Sequence, residues 1–208
     1  MGEIAGVSMS RKLGKGELLF QSEELLEHLF IVHKGKVKIY RLTENGKEQV
    51  IRFIETGDFI GELALFSKTV TTSFAEAMED TDICTINKSD FHQLLLRYPA
   101  ISIKLLEEVS SRLSTTESRI EKLNSQDVEK RIASYLVELM SKSNDVISDR
   151  TRLQLPISKR DLASFIGTTQ ETLSRRLSSF QNKGWIELEG QRTIIIKQPE
   201  QLERKAKN

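Results

Sequence analysis

An α+β protein with two unlike halves is what this chain of 208 residues predicts, and three observations predict it. From Leu13 to Ile86, short β-branched and aromatic runs alternate with glycines, the pattern of a small antiparallel barrel or β-roll. From Pro99 the period lengthens, and Ser102 to Leu123 follow the repeat of a long helix with an apolar seam. After Asn124 come a helix, a strand piece, a helix, a turn, a helix and a hairpin, the order of a winged helix-turn-helix. The expected boundaries are 1–98 for the roll, 99–123 for the long helix, 124–127 for a hinge and 128–208 for the last domain.

In the roll, Gly14, Gly16, Gly35, Gly46, Gly57 and Gly61 punctuate the runs LLF, HLFIVH, KVKIYRL, QVIRFI and DICTI. The segment TENGKE sets Asn45-Gly46 between two of these runs. Asn and Gly tolerate the positive φ of a tight turn, so a hairpin is expected there. No internal repeat or low-complexity stretch interrupts the pattern.

The segment SDFHQLLLRY, from Ser89, reads as a short helix stopped by Pro99, which suits the first turn of the next one. Along that next helix Ser102, Leu106, Val109, Leu113, Thr116, Ile120 and Leu123 alternate spacings of four and three. This is the seam of a coiled coil, so two copies are expected to pair through it. The competing reading is a helix packed on its own domain. Glu107, Glu108, Arg112, Glu117, Arg119, Glu121 and Lys122 are expected on its wet faces. The polar break NSQD reads as hinge and N-cap for DVEKRIASYLVELMSKS, whose Val128, Ile132, Leu136 and Leu139 or Met140 share a face.

In ISKRDLASFIGTTQETLSRRLSSFQNKGW, Ser158 and Asp161 form a capping-box-like start to one helix. Gly167 frees the backbone for a sharp turn, and Thr168-Thr169 offers the N-cap of a second helix. Leu173, Leu177 and Phe180 seat that helix. Glu171, Ser174, Arg175 and Ser178 form an opposite, wholly polar face. An arginine forks onto guanine, a carboxylate accepts from cytosine N4 and serine serves either role, so the face suits base edges. The plainer reading is an i, i+4 surface pair between Glu171 and Arg175, worth only ~0.2–0.5 kcal/mol. Arg160, Arg176, Lys183 and Arg192 lie around the edges, where phosphates would sit. WIELEGQRTIIIK closes the chain as two strands around Glu189-Gly190-Gln191.

Charge follows the same division. The chain carries a net +1, but the part from Asn124 onward has 15 Lys+Arg against 11 Asp+Glu, and the part before it 16 against 19. Only the basic half is suited to a polyanion. No apolar run is long enough for a membrane span, and MGEIAGVSMSRKLGKG lacks a signal-peptide core. One cysteine, Cys84, excludes an internal disulfide and fits a reducing compartment, so a cytoplasmic protein without membrane contact is expected. No P-loop, dinucleotide fingerprint or Ser/His/Asp arrangement points to an enzyme.

Three segments resemble the CRP/FNR family of bacterial transcription regulators, over nearly the whole chain: GDFIGELALF, RLSTTESRIEKL and RDLASFIGTTQETLSRRLSSFQNKG. The resemblance implies a β-roll that is a cyclic-nucleotide-binding-like jelly roll, a dimer helix with Leu106, Val109, Leu113, Thr116, Ile120 and Leu123 in its seam, and a DNA-binding domain. ETLSR is similar to the E-x-x-S-R pattern of the FNR branch, which reads TTGA half-sites. The implied base readers are Glu171, Ser174 and Arg175, with Gln170 beside them. Ser158, Lys159, Arg160, Thr169, Thr172, Arg176, Lys183 and Arg192 are the implied phosphate contacts. A two-fold homodimer would place two such helices in successive major grooves ~34 Å apart. Double-stranded DNA and RNA polymerase are the implied partners. Activation or repression depends on where the DNA site lies.

For an effector, Gly61, Glu62 and Leu63 match the family's ribose-contacting triplet, and Thr71 and Thr72 fall where cyclic-AMP-binding members carry an Arg-Ser pair. Thr116 matches the threonine that meets adenine. No arginine stands nearby in sequence for a cyclic phosphate, which argues against cyclic AMP. The alternative for this triplet is architectural: a turn glycine, a capping carboxylate and a core leucine. An iron–sulfur cluster needs four thiolates and only Cys84 is present. His28, His33 and His92 are scattered, which argues against haem. No cofactor is evident. The rival functions are a roll that regulates a protein partner and a cyclic-nucleotide-responsive regulator.

Overall fold

The computed structural model describes residues 8–67, 70–125, 127–142, 146–147 and 150–207. The chain divides into two compact units, Met1–Arg112 and Leu113–Asn208. The first holds β1 (Ser8–Leu13), β2 (Leu18–Phe20), β3 (His28–Lys34), β4 (Val37–Leu42), β5 (Glu48–Ile54), β6 (Phe59–Ile60), β7 (Phe74–Ala77) and β8 (Thr81–Asn87). It also holds helix α1 (Glu62–Phe66), helix α2 (Lys88–Arg97) and the start of the long helix α3 (Pro99–Ser125).

The strands make two antiparallel sheets, ordered β1-β8-β3-β6 and β2-β7-β4-β5. Alternation decides what each face buries. On β3, Phe30 and Val32 point into one core with Ile83 of β8 and with Val37, Ile39, Ile54, Ala75 and Ala77 of the other sheet. The intervening Leu29 points the other way, into a smaller cluster with Leu65, Ile86 and Phe91, against which Ile31, Phe59, Leu95 and Leu105 pack. The first sheet is therefore apolar on both faces, one for its partner sheet and one for the helices.

The expected hairpin joins β4 to β5, but its turn differs from the sequence reading. Gly46 N–H donates to the Thr43 carbonyl at 2.8 Å and Thr43 N–H to the Lys47 carbonyl at 2.9 Å. Only Gly46 takes a positive φ, 71°, and Asn45 does not. The loop is thus a turn closed by a left-handed glycine, not a two-residue turn with both residues left-handed. On β4 the buried Lys38 ammonium sits 2.8 Å from Glu48 and 3.3 Å from Glu76, so its charge is paired.

Helix α2 begins at Lys88, with the Asn87 side chain accepting from Ser89 N–H at 2.9 Å. Pro99 opens α3 as its position suggests.

The second unit contains α4 (Val128–Lys142), β9 (Val146–Ile147), β10 (Arg150–Gln154), α5 (Lys159–Phe165), α6 (Gln170–Asn182), β11 (Ile186–Glu189), β12 (Thr193–Ile196) and α7 (Pro199–Lys207). Asp127 caps α4, its Oδ1 accepting from Lys130 N–H at 2.6 Å. Of the remaining break residues, Gln126 lies outside the described residues. Helix α4 buries Ile132, Ala133 and Leu136. The segment 144–156 expected as a loop with a strand piece carries β9 and β10, because Leu153 and Leu155 alternate with exposed Arg152 and Gln154. With the terminal hairpin these give one antiparallel sheet, β11-β12-β10-β9. Helix α7 is an addition to the sequence reading. It inserts Leu202 into the core and packs on α4.

Candidate nucleic-acid interface

Helix α5 starts on a side-chain cap: Ser158 Oγ accepts from Asp161 N–H at 3.1 Å and donates to Asp161 Oδ2 at 2.6 Å, so the carboxylate meets the hydroxyl and not the backbone N–H of a full capping box. Its other end turns at Gly167, whose φ is 71° and where an added Cβ would lie 2.8 Å from Leu123 Cδ2. Thr169 Oγ1 then caps α6, accepting from Thr172 N–H at 3.2 Å. Both caps leave the following helix free to start where the hydrophobic stripe requires.

The turn between these helices leaves carbonyls that no helix satisfies, and two arginines take them. Arg131 of α4 donates to the Ile166 carbonyl at 2.9 Å and the Gly167 carbonyl at 3.2 Å. Arg119 of α3 donates to the Phe165 carbonyl and lies over that ring, 3.8 Å from its centroid. Burial lowers the Arg119 pKa from its ordinary value. Neither role is visible in sequence, where Arg119 reads as part of a wet face. Arg112 departs from that reading too. It donates to the Phe59 carbonyl at 3.1 Å and covers the Phe59 ring at 4.0 Å.

Leu173, Leu177 and Phe180 are fully buried and hold α6 in place. On the opposite side Gln170, Glu171, Arg175 and Ser178 are exposed and Ser174 is half-buried. Among the described residues Glu171 and Arg175 have neither an ion-pair partner nor a side-chain hydrogen bond, so they are not the i, i+4 pair of the plainer reading. An open groove runs beside them, lined by Ser174, Arg175, Ser178, Ser179, Asn182 and Lys183. The hairpin is pinned to the same helix, since Gln181 Oε1 accepts from Leu188 N–H at 2.8 Å.

The candidate phosphate contacts stand differently from one another. Arg160, Thr169, Lys183 and Arg192 are exposed, and Lys159 and Thr172 are half-buried. Lys183 Nζ sits 4.9 Å above the Trp185 ring. The Ser158 hydroxyl is engaged in its cap, and Arg176 is paired with Glu129 at 2.9 Å. Along α3, Leu106, Leu113 and Ile120 are 66%, 60% and 54% exposed in the single chain. Val109 and Thr116 are exposed as well. Leu123, placed with them from its spacing, is instead half-buried and faces Gly167.

In the roll, Gly61 has a φ of 98°, and an added Cβ would run into the His28 carbonyl oxygen. Only glycine fits there. The Glu62 side chain is 13% exposed and is bound by Arg52 at 3.0 Å and Arg112 at 3.4 Å. Two arginines distant in sequence thus reach the site where none stands nearby along the chain, and the Glu62 carboxylate already holds both. Glu62 is therefore no cap, and Leu63 is no core leucine: it is 77% exposed, and Leu65 fills the core in its place. Thr71 is half-buried and Thr72 exposed. Among the described residues no three His, Cys, Asp or Glu side chains gather as a metal site, and no helix is long and apolar enough to cross a membrane.

Comparison with known proteins agrees with this geometry. Residues 10–98 match the family described as cyclic nucleotide-binding domain, and residues 130–205 match the Crp-like helix-turn-helix domain. The chain is 32% identical over 193 residues to the probable transcriptional regulator flp of Lacticaseibacillus casei, covering 93% of this chain and 85% of that one. It is 28% identical over 193 residues to the CRP-like cAMP-activated global transcriptional regulator of Mycobacterium tuberculosis, covering 93% and 86%. A solved structure of a CooA mutant from Carboxydothermus hydrogenoformans shares the fold, with a TM-score of 0.86, 24% identity and coverage of 99% and 90%. A roll, a long helix and a helix-turn-helix in this order, with relatives that regulate transcription and are not enzymes, place the chain in the CRP/FNR family of transcription regulators.

Proposed function

We propose that the protein reads TTGA-like inverted repeats in duplex DNA as a two-fold homodimer paired along α3. The observation that carries this reading is that Glu171 and Arg175, opposite charges on the exposed side of a helix seated by Leu173, Leu177 and Phe180, have no ion-pair partner among the described residues. A surface pair that served only solubility would gain by closing on itself. Two groups held apart keep their hydrogen-bonding capacity for base edges. Gln170 and Ser174 complete the reading face. Lys159, Arg160, Thr169, Thr172, Lys183 and Arg192 surround it and fix register on the phosphates. The exposed Leu106, Leu113 and Ile120 supply the dimer seam, because a stripe that apolar is disfavoured in water unless covered. Contact with RNA polymerase follows from the same role.

Any effector enters through the roll, as the match to cyclic-nucleotide-binding domains suggests. Cyclic AMP fits it poorly, because Glu62 is already bound by Arg52 and Arg112.

The test is a mobility-shift titration on TTGA…TCAA repeats and scrambled duplexes across salt concentrations. Specific retardation with a steep salt slope is expected. Equal affinity for both duplexes overturns the base-reading assignment, and no shift at all favours a protein-binding module. A thermal shift with cyclic AMP is expected to be nil.

A further inference from the structure

We propose that Glu129 withholds Arg176 from DNA phosphates and so sets the ratio of specific to non-specific binding. This rests on the reading of α6 as the base-reading helix. Arg176 lies on that helix, yet its Nη1 is 2.9 Å from Glu129 Oε1 at the start of α4. The Glu129 side chain is 19% exposed and the Arg176 side chain 49%. The carboxylate is thus already largely withdrawn from water, while the guanidinium stands at the surface.

The position of Arg176 makes the pairing consequential. Thr169, Thr172, Arg176 and Lys183 are spaced by three, four and seven residues, so they share one flank of the helix. That flank borders the reading face, where sequence-independent contacts form. A free arginine there would add affinity for every duplex alike, because phosphate contacts carry no sequence information. Swinging Arg176 onto a phosphate would leave Glu129 with Lys205 alone, whose Nζ is 3.9 Å away and is drawn 3.0 Å from Asp127 Oδ2. It would also bring an uncompensated carboxylate beside the polyanion. The pair therefore stays closed on DNA, and the base readers on the adjoining face of the helix are untouched by it.

The experiment measures binding of the full-length protein and of the E129Q, R176A and E129Q/R176A variants to a TTGA inverted repeat and a scrambled duplex across potassium chloride concentrations. For E129Q the scrambled-duplex slope of log K against log salt is expected to steepen by about 0.9 for each freed arginine. Scrambled-duplex affinity rises several-fold and the specific-to-scrambled ratio falls. R176A alone keeps the wild-type slope, since its guanidinium makes no phosphate contact, and the double variant returns to it.

A slope that drops in R176A shows Arg176 already on a phosphate and overturns the proposal. An unchanged slope in a folded E129Q does the same, leaving the pair purely structural. Should E129Q fail to fold, E129D, whose shorter side chain draws the carboxylate back from Arg176, is read by the same slopes. Wild-type protein with no preference for the repeat would defeat the base-reading assignment instead, a result separate from either slope.

Discussion

Arg119 and Phe165 are joined twice: the guanidinium lies on the ring, and an N–H of the same group donates to the carbonyl. This one contact closes the end of α5, where the chain leaves the helix and a carbonyl would otherwise be orphaned. Replacing Arg119 by Ala removes a charged hydrogen bond and a cation–π contact together. A loss of about 2–3 kcal/mol is expected in urea unfolding, with weaker DNA binding beside it. Lys in its place keeps the charge but not the flat, forked donor, so R119K recovers only part of the loss. Full recovery in R119K would show that charge alone matters.

Gly167 supports the same turn from its other side. An alanine there meets two penalties, a left-handed φ and a Cβ placed against Leu123 Cδ2. The first costs about 1–2 kcal/mol, and the second is relieved when Leu123 shifts. G167A is expected to lower stability by about that first amount or slightly more. In the background of Leu123→Ala only the steric part disappears, and a double-mutant cycle on urea midpoints separates the two. Complete relief in that background would locate the whole cost in the clash.

Legible in the sequence is whatever neighbouring residues encode among themselves. Thr169 before a stripe of Leu173, Leu177 and Phe180 announces a capped, half-buried helix, and that is how α6 sits. The alternating runs of the roll announce strands in the same way. Illegible were the pairings of residues far apart along the chain. Arg119 reaches Phe165 across 46 positions and Arg176 reaches Glu129 across 47. Nothing local marks either arginine as different from the solvated ones beside it. Leu63 shows the reverse error: a leucine on a five-residue apolar-rich helix turns outward, because Leu65 fills the core. Helix α7 has no signature in the sequence, because its single buried residue, Leu202, sets no periodicity.

The base-reading assignment gives a sequence-resolved prediction. R175A is expected to weaken the repeat by about 1–3 kcal/mol and to relax discrimination at one base position of each half-site. Binding to a panel of single-base variants measures this directly. A uniform loss over every member of the panel would make Arg175 a phosphate contact.

Pairing along α3 is tested at Leu113. Lysine at this exposed seam position sets like charges against each other across a two-fold axis, without touching either core. Light scattering of L113K is expected to give the mass of one chain, and its affinity for the inverted repeat to fall toward that of a half-site. A dimeric L113K with wild-type affinity would move the interface elsewhere.

Asp127 makes stability at acid pH readable at the start of α4. Its carboxylate accepts from the Lys130 backbone N–H and also faces the Lys205 ammonium. The backbone bond is the largest cause that holds its pKa below the ordinary value, with Lys205 adding to it. A carboxyl group whose folded pKa is depressed stabilises the fold above its unfolded value of about 3.9, and that contribution vanishes as pH falls through the lowered folded value. D127N keeps a capping oxygen but has no proton to bind. The gap in unfolding midpoint between wild type and D127N is therefore expected to be full at pH 6, to start closing near pH 4 and to vanish at lower pH. A gap that stays constant across this range would show that the cap works through its oxygen alone, with the charge contributing nothing.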